Sequence, residues 1–144
     1  MTLRIAQWIV VASCMLSAAA ARAEGIKVIV NPGVPGNSIK RDVLAGIFLK
    51  KLTRWGDGQP ISVVEQSMGA RVRASFCQEV LRETPQAVQA YWTQQMFASR
   101  LVHPPVKPSD QDVVAFVAST KGAIGYVSAE ADVGGAVKTL RVAE

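Results

Sequence analysis

Reactive side chains are scarce in this sequence: two cysteines, Cys14 and Cys77, and one histidine, His103, occur in 144 residues. A zinc centre needs three or four Cys, His or carboxylate ligands, so no metal centre is expected. No Gly-x-Ser-x-Gly elbow occurs. The glycine patterns that cradle nucleotides are also missing. Asp110 and Asp112 read as first-turn helix residues stabilised by the helix dipole rather than as an acid/base pair. These absences argue against an enzyme and against a bound cofactor. The net charge is only +5, and the basic residues are spread along the chain. A nucleic-acid surface would cluster Lys and Arg with aromatics between them, so nucleic acid is not an expected partner.

Long hydrophobic runs are also few. The main one, Ile5 to Leu16, follows a single charge at Arg4 and leads through small residues to Ala21-Arg22-Ala23. A membrane span needs ~20 apolar residues. The shorter run with its small-residue site has the form of a secretory signal peptide, residues 1–23, cleaved after Ala23. The expectation is a periplasmic protein with no membrane span in its mature chain. Val11-Ala12-Ser13-Cys14 loosely resembles a lipoprotein box, but a cut there would fall early in the apolar stretch, so an anchor at Cys14 is the lesser reading. Residues 24–144 then form one domain. Without Arg4 and Arg22 the net charge falls to +3. Cys77 is left without an intramolecular disulfide partner. Its neighbours Phe76, Val80 and Leu81 mark it as a core residue.

What is present alternates between strand and helix. Ile26–Val30 (IKVIV) is a β-branched run fit for a buried strand, and NPGVPGN after it must be loop. Ser38 is positioned to cap a helix with Val43, Leu44, Ile47 and Phe48 on one stripe. Trp55-Gly56-Asp57-Gly58 is a turn. Ile61–Val64 reads as a second strand, followed by a loop centred on Gly69 and a helix from about Arg71 to Leu81. Thr84-Pro85 starts a further helix burying Val88, Tyr91, Trp92 and Gln95/Met96. His103-Pro104-Pro105-Val106-Lys107-Pro108 is too proline-rich for regular structure, and His103 within it reads as a solvated loop residue. Ser109 with Asp112 caps a helix carrying Val113, Val114 and Val117, and Gly122 stops it. Ala123–Val127 is a strand in which Gly125 marks a close backbone approach or a bulge. Val137–Val142 is a last strand near an edge. The order β-α-β-α-α-α-β-β predicts an α/β fold with right-handed crossovers and a mixed, mostly parallel sheet flanked by helices.

The stretch Ile61–Leu81 is the candidate site. A strand feeding a glycine loop into a basic helix start can hold an anion through free N–H groups and the helix dipole. Ser67, Gly69 and Ala70 would supply hydroxyl and backbone donors, and Arg71 and Arg73 guanidinium donors. The same layout also serves as an ordinary strand–helix corner.

Three pieces, IFLKKLTRWGDG, ISVVEQSMGARVRASF and KGAIGYVS, stand in the order found in the carboxy-terminal lobe of periplasmic phosphate-binding proteins of phosphate ABC transporters. With NPGVPGNSI and YWTQQMF they make a chain that resembles that family over most of Ile26 to Ser128. The resemblance implies a single lobe of the type II periplasmic-binding fold, residues 24–144. It also implies a non-enzymatic substrate-binding role and a small oxyanion such as phosphate met by Ser67, Gly69, Ala70, Arg71 and Arg73. Asn31 and Ser38 would join if the first loop lies beside them. The family's loop resembles Arg-x-x-Gly-Ser-Gly-Thr, whereas this chain has Gln66 at the arginine position and Ala70, Arg71 and Val72 at Ser-Gly-Thr. The glycine survives as Gly69 and both hydroxyls are gone. The alternative expectation is an interaction or dimerisation module that has lost its ligand and pairs with itself or an envelope protein.

Overall fold

The computed structural model describes residues 25–144, so the signal peptide of residues 1–23 and the Cys14 reading lie outside the described residues. Five strands form one mixed sheet in the order β2-β7-β1-β6-β3. They are β1 (Ile26–Val30), β2 (Ser38–Lys40), β3 (Ser62–Val63), β6 (Ala123–Ser128) and β7 (Lys138–Ala143). The remaining pair, β4 (Glu65–Gln66) and β5 (Val106–Lys107), forms a small parallel sheet. Helices α1 (Arg41–Phe48), α2 (Arg71–Phe76), α3 (Pro85–Ser99) and α4 (Asp110–Ser119) complete the fold, and α2 runs on into a π-helical turn, Cys77–Leu81.

The two-residue alternation of the strands sorts the core into two faces. Val28 and Val30 of β1, with Ile124 and Tyr126 of β6, point to the side covered by Leu44, Ile47 and Phe48 of α1 and Phe76 of α2. Ile29, Ala123 and Val127 point to the other side, against Val113 and Val117 of α4. The Phe76 ring stacks on Tyr126 with centroids 4.0 Å apart. Gly125 lies on the α4 side, where a Cβ would come within 2.7 Å of Val64 Cγ1 and 2.8 Å of Val113 Cγ1. The close approach expected there is real.

Several expectations are corrected. β1 is antiparallel to both β6 and β7, while β3 and β2 run parallel to β6 and β7 respectively. The first strand–helix–strand unit is therefore not a parallel crossover, because β6 inserts between β1 and β3. Ser38 is not a helix cap: it opens edge strand β2, and α1 starts at Arg41 after Lys40 with no side-chain cap. Val43 lies on the exposed side of α1 and Met96 on that of α3. The proline segment contains β5, because Val106 and Lys107 sit between prolines in extended backbone that β4 can pair. The caps Thr84 and Ser109 are as expected, accepting from the Ala87 and Asp112 amides at 3.1 and 3.2 Å. Among the described residues no helix is long and apolar enough to cross a membrane.

Candidate functional site

The Ser67–Ala70 loop leaves the sheet where β4 ends and is pinned on both sides. The Ser67 amide donates to Lys107 O at 3.2 Å, and the Ala70 amide closes the turn on Ser67 O at 3.0 Å. Ala70 is extended, and the next residue begins α2. Ser67 is half-buried, Met68, Gly69 and Arg71 are exposed, and α2 starts with Val72 lacking an intrahelical acceptor for its amide. The Ser67 and Ala70 amides, expected as donors, are thus spent within the protein, and what the corner sets at the surface is Met68, Gly69 and the cationic Arg71 at a helix start.

Arg73 lies elsewhere in this corner. Its side chain is only 2% exposed. Nη1 donates to Gln66 O at 2.8 Å, holding the strand end beneath the loop. It stands among buried polar groups. Tyr126 Oη donates to Glu65 Oε2 at 2.6 Å, and the Gln66 amide points at Tyr126 Oη at 3.4 Å. Burial pushes the Glu65 carboxyl up from its ordinary value, with the Arg73 charge pulling the other way. Burial also raises the Tyr126 hydroxyl, as does the Glu65 charge beside it. The Cys77 thiol, four residues after Arg73, is pushed up to about 11, mainly by burial. At that value it is a packed core thiol rather than a nucleophile.

Gln66, at the position where the resembling family carries arginine, turns away from the loop. Its Nε2 donates to Asp110 Oδ1 at 2.6 Å and to Tyr126 O at 3.2 Å. Asp110 also accepts from the Ser128 amide at 3.3 Å and from Ser128 Oγ. Asp110 is thus a first-turn residue of α4, as read from the sequence, and also the clamp that joins α4, β4 and β6. That second role leaves no local signal, because Gln66, Asp110 and Ser128 are far apart in the chain.

Asn31 and Ser38 are not brought to the loop. The Asn31 amide bonds Ala123 O, and its side chain caps the end of α4 through Val117 O and Ala118 O at 3.0 and 3.2 Å. The loop lies beyond the level of Tyr126, so roughly 10 Å of strand separates the two. Ser38 pairs with Arg141 on the edge strand, three strands from β6 and so about 14 Å away across the sheet. A cleft of about 530 Å³ opens over Lys27, Arg41, Thr139 and Arg141 and does not include the loop. Two of its cations are engaged, Lys27 with Ala131 O at 3.0 Å and Arg41 with Glu144 at 3.1 Å. Among the described residues no group of three or more His, Cys, Asp or Glu is placed to hold a metal ion.

Solved structures with the same fold include an ABC-type phosphate transport receptor from Vibrio cholerae. It is 21% identical with a TM-score of 0.64, and the match covers 82% of this chain and 46% of the receptor. PstS from Borrelia burgdorferi matches at 16% identity and a TM-score of 0.62, over 81% and 46% of the two chains. A Clostridium perfringens protein assigned as a phosphate ABC transporter substrate-binding protein, solved with bound phosphate, matches at 21% identity. Its TM-score is 0.57, over 82% and 44% of the two chains. The chain thus spans less than half the length of these relatives, corresponding to one lobe. No curated protein matches it significantly. The family model described as PBP superfamily domain matches residues 21–141, and the chain belongs to that family of periplasmic-binding-protein domains.

Proposed function

We propose that this chain is an exported, non-enzymatic substrate-binding lobe that offers a small oxyanion, such as phosphate, the loop Ser67–Arg71. The observation that carries this reading is the loop itself: a turn tied to Lys107 O and Ser67 O, exposing Gly69 and Arg71 at the start of α2. A helix start favours oxyanions through its dipole, and an exposed arginine adds charge without a burial cost. The relatives' names support the ligand class, since two concern phosphate transport and one was solved with phosphate. Arg73 contributes indirectly by fixing the Gln66 carbonyl and with it the entry to the loop. Asn31 and Ser38 take no part, given their distance from the loop.

Calorimetric titration of the protein with phosphate and with sulfate tests the reading. Saturable heat is expected, weakened by Arg71→Ala and by Gly69→Pro. No heat and an unchanged melting temperature at up to roughly ten times a millimolar Kd would remove the binding role.

A further inference from the structure

We propose that Arg73 and Trp92 together hold a small inorganic anion of chloride or nitrate size in the seam between α2 and α3, with His103 at its rim. This site is separate from the loop and does not depend on the loop binding phosphate.

Three buried donors in this seam lack a well-formed hydrogen bond: Arg73 Nε, Arg73 Nη2 and Trp92 Nε1, and the Arg73 guanidinium lies against the weakly accepting Cys77 thiol. Both side chains are nine-tenths buried or more, at 2% and 0% exposed. Packing brings them to one place. Arg73 and Cys77 are four residues apart on a continuous helical run and so share a face. Cys77 packs in one cluster with Val88 and Trp92 of α3. The Trp92 and His103 rings meet edge to face with centroids 5.2 Å apart, and His103 feels the Arg73 charge.

The chemistry of the seam selects the ligand. All three unpaired groups are donors, so the complement is an acceptor. Buried donors left unsatisfied are rare in folded proteins and call for an occupant. A buried guanidinium also needs compensation for its charge. Its Nη1 bonds a neutral carbonyl, and the nearby Glu65 carboxyl supplies part of that compensation only when ionised, a state that burial disfavours. A compact anion supplies acceptors and charge together. His103, half-buried at the rim with Nδ1 2.7 Å from Pro104 O, gives the ligand an entrance.

His103 is the chain's only histidine, so its imidazole NMR signals report on the seam without ambiguity. Chloride, nitrate and phosphate would be titrated separately into the full chain at constant ionic strength, with a bulky organic anion as the balance. Saturable His103 shifts with chloride or nitrate are expected, and Trp92→Phe, which keeps the packing and removes one donor, should weaken them about tenfold. Arg71→Ala should leave them unchanged. Shifts that stay linear, or that are identical in Trp92→Phe, would overturn the site. So would saturation by phosphate alone that disappears in Arg71→Ala, since that response would come from the loop.

Discussion

Glu65 is a carboxyl held at 2% exposure by a tyrosine hydroxyl 2.6 Å away, in a protein with few buried acids. Because burial raises its pKa above the ordinary 4.5, the folded chain takes up a proton before the unfolded chain does as pH falls. The folded state then binds more protons over the window that begins near 4.5 and extends upward, so this group's contribution to stability falls as pH rises through that window. Glu65→Gln keeps an acceptor for Tyr126 and has no charge to bury. Thermal unfolding between acidic and neutral pH should therefore show a flatter pH dependence in this variant and a higher melting temperature at neutral pH. A variant with the wild-type slope would mean that Arg73 fully offsets the burial of the carboxylate. Arg73 itself illustrates what one dimension hides. Its place two residues into a basic helix start suggested a ligand contact, but the helix phase sets Arg71 outward and Arg73 inward, onto the Gln66 carbonyl.

At the scale of elements, the strand–helix corners depend on two glycines with different demands. Gly125 sits mid-strand with ordinary φ, and a methyl there would press on two valine side chains that can yield slightly. Gly122 has a φ of +73°, and a methyl there would collide with the Pro60 carbonyl oxygen, which is fixed backbone. Overpacking costs ~1–3 kcal/mol, so Gly125→Ala should lower stability by about that amount. Gly122→Ala adds left-handed strain of about 1 kcal/mol or more and should be worse. Urea unfolding of both variants gives the order, and equal or reversed losses would show that the β6 entrance relaxes. Glycine roles of this kind are partly legible: a glycine within AIGYV signals a close approach or a bulge, and the Val64 and Val113 contacts decide for the first. Local chemistry likewise placed the Thr84 and Ser109 caps and the apolar faces of α1 and α4. Strand neighbours were not legible, since β6 bonds residues about 60 and 100 positions away and no periodicity encodes that choice. Edge strand β2 is hidden because a serine shortly before the apolar stripe of α1 has the form of a helix cap, while the strand takes only three residues. α3 was misjudged at its far end, where only Val88 and Trp92 are buried and Phe97 is 86% exposed.

For the molecule as a whole, the decisive quantity is how much of a ligand one lobe can enclose. Binding pockets bury roughly 70–90% of a small ligand's surface, which takes walls on more than one side. The chain covers 46% of the Vibrio cholerae receptor, and its loop faces solvent through Met68, Gly69 and Arg71. Gln66, just before the loop, is committed to Asp110 and Tyr126 O, so Arg71 is the exposed cationic residue nearest the loop. With so little of the ligand enclosed, binding at the loop is expected on the millimolar scale, about 4 kcal/mol. Phosphate titrated against the protein at physiological salt should therefore bind in the millimolar range and weaken further as salt screens Arg71. A micromolar Kd would require a second wall. Light scattering with and without phosphate would identify it, because closure by another copy doubles the mass on ligand addition, whereas a monomer at that affinity would mean the loop closes over its ligand unaided.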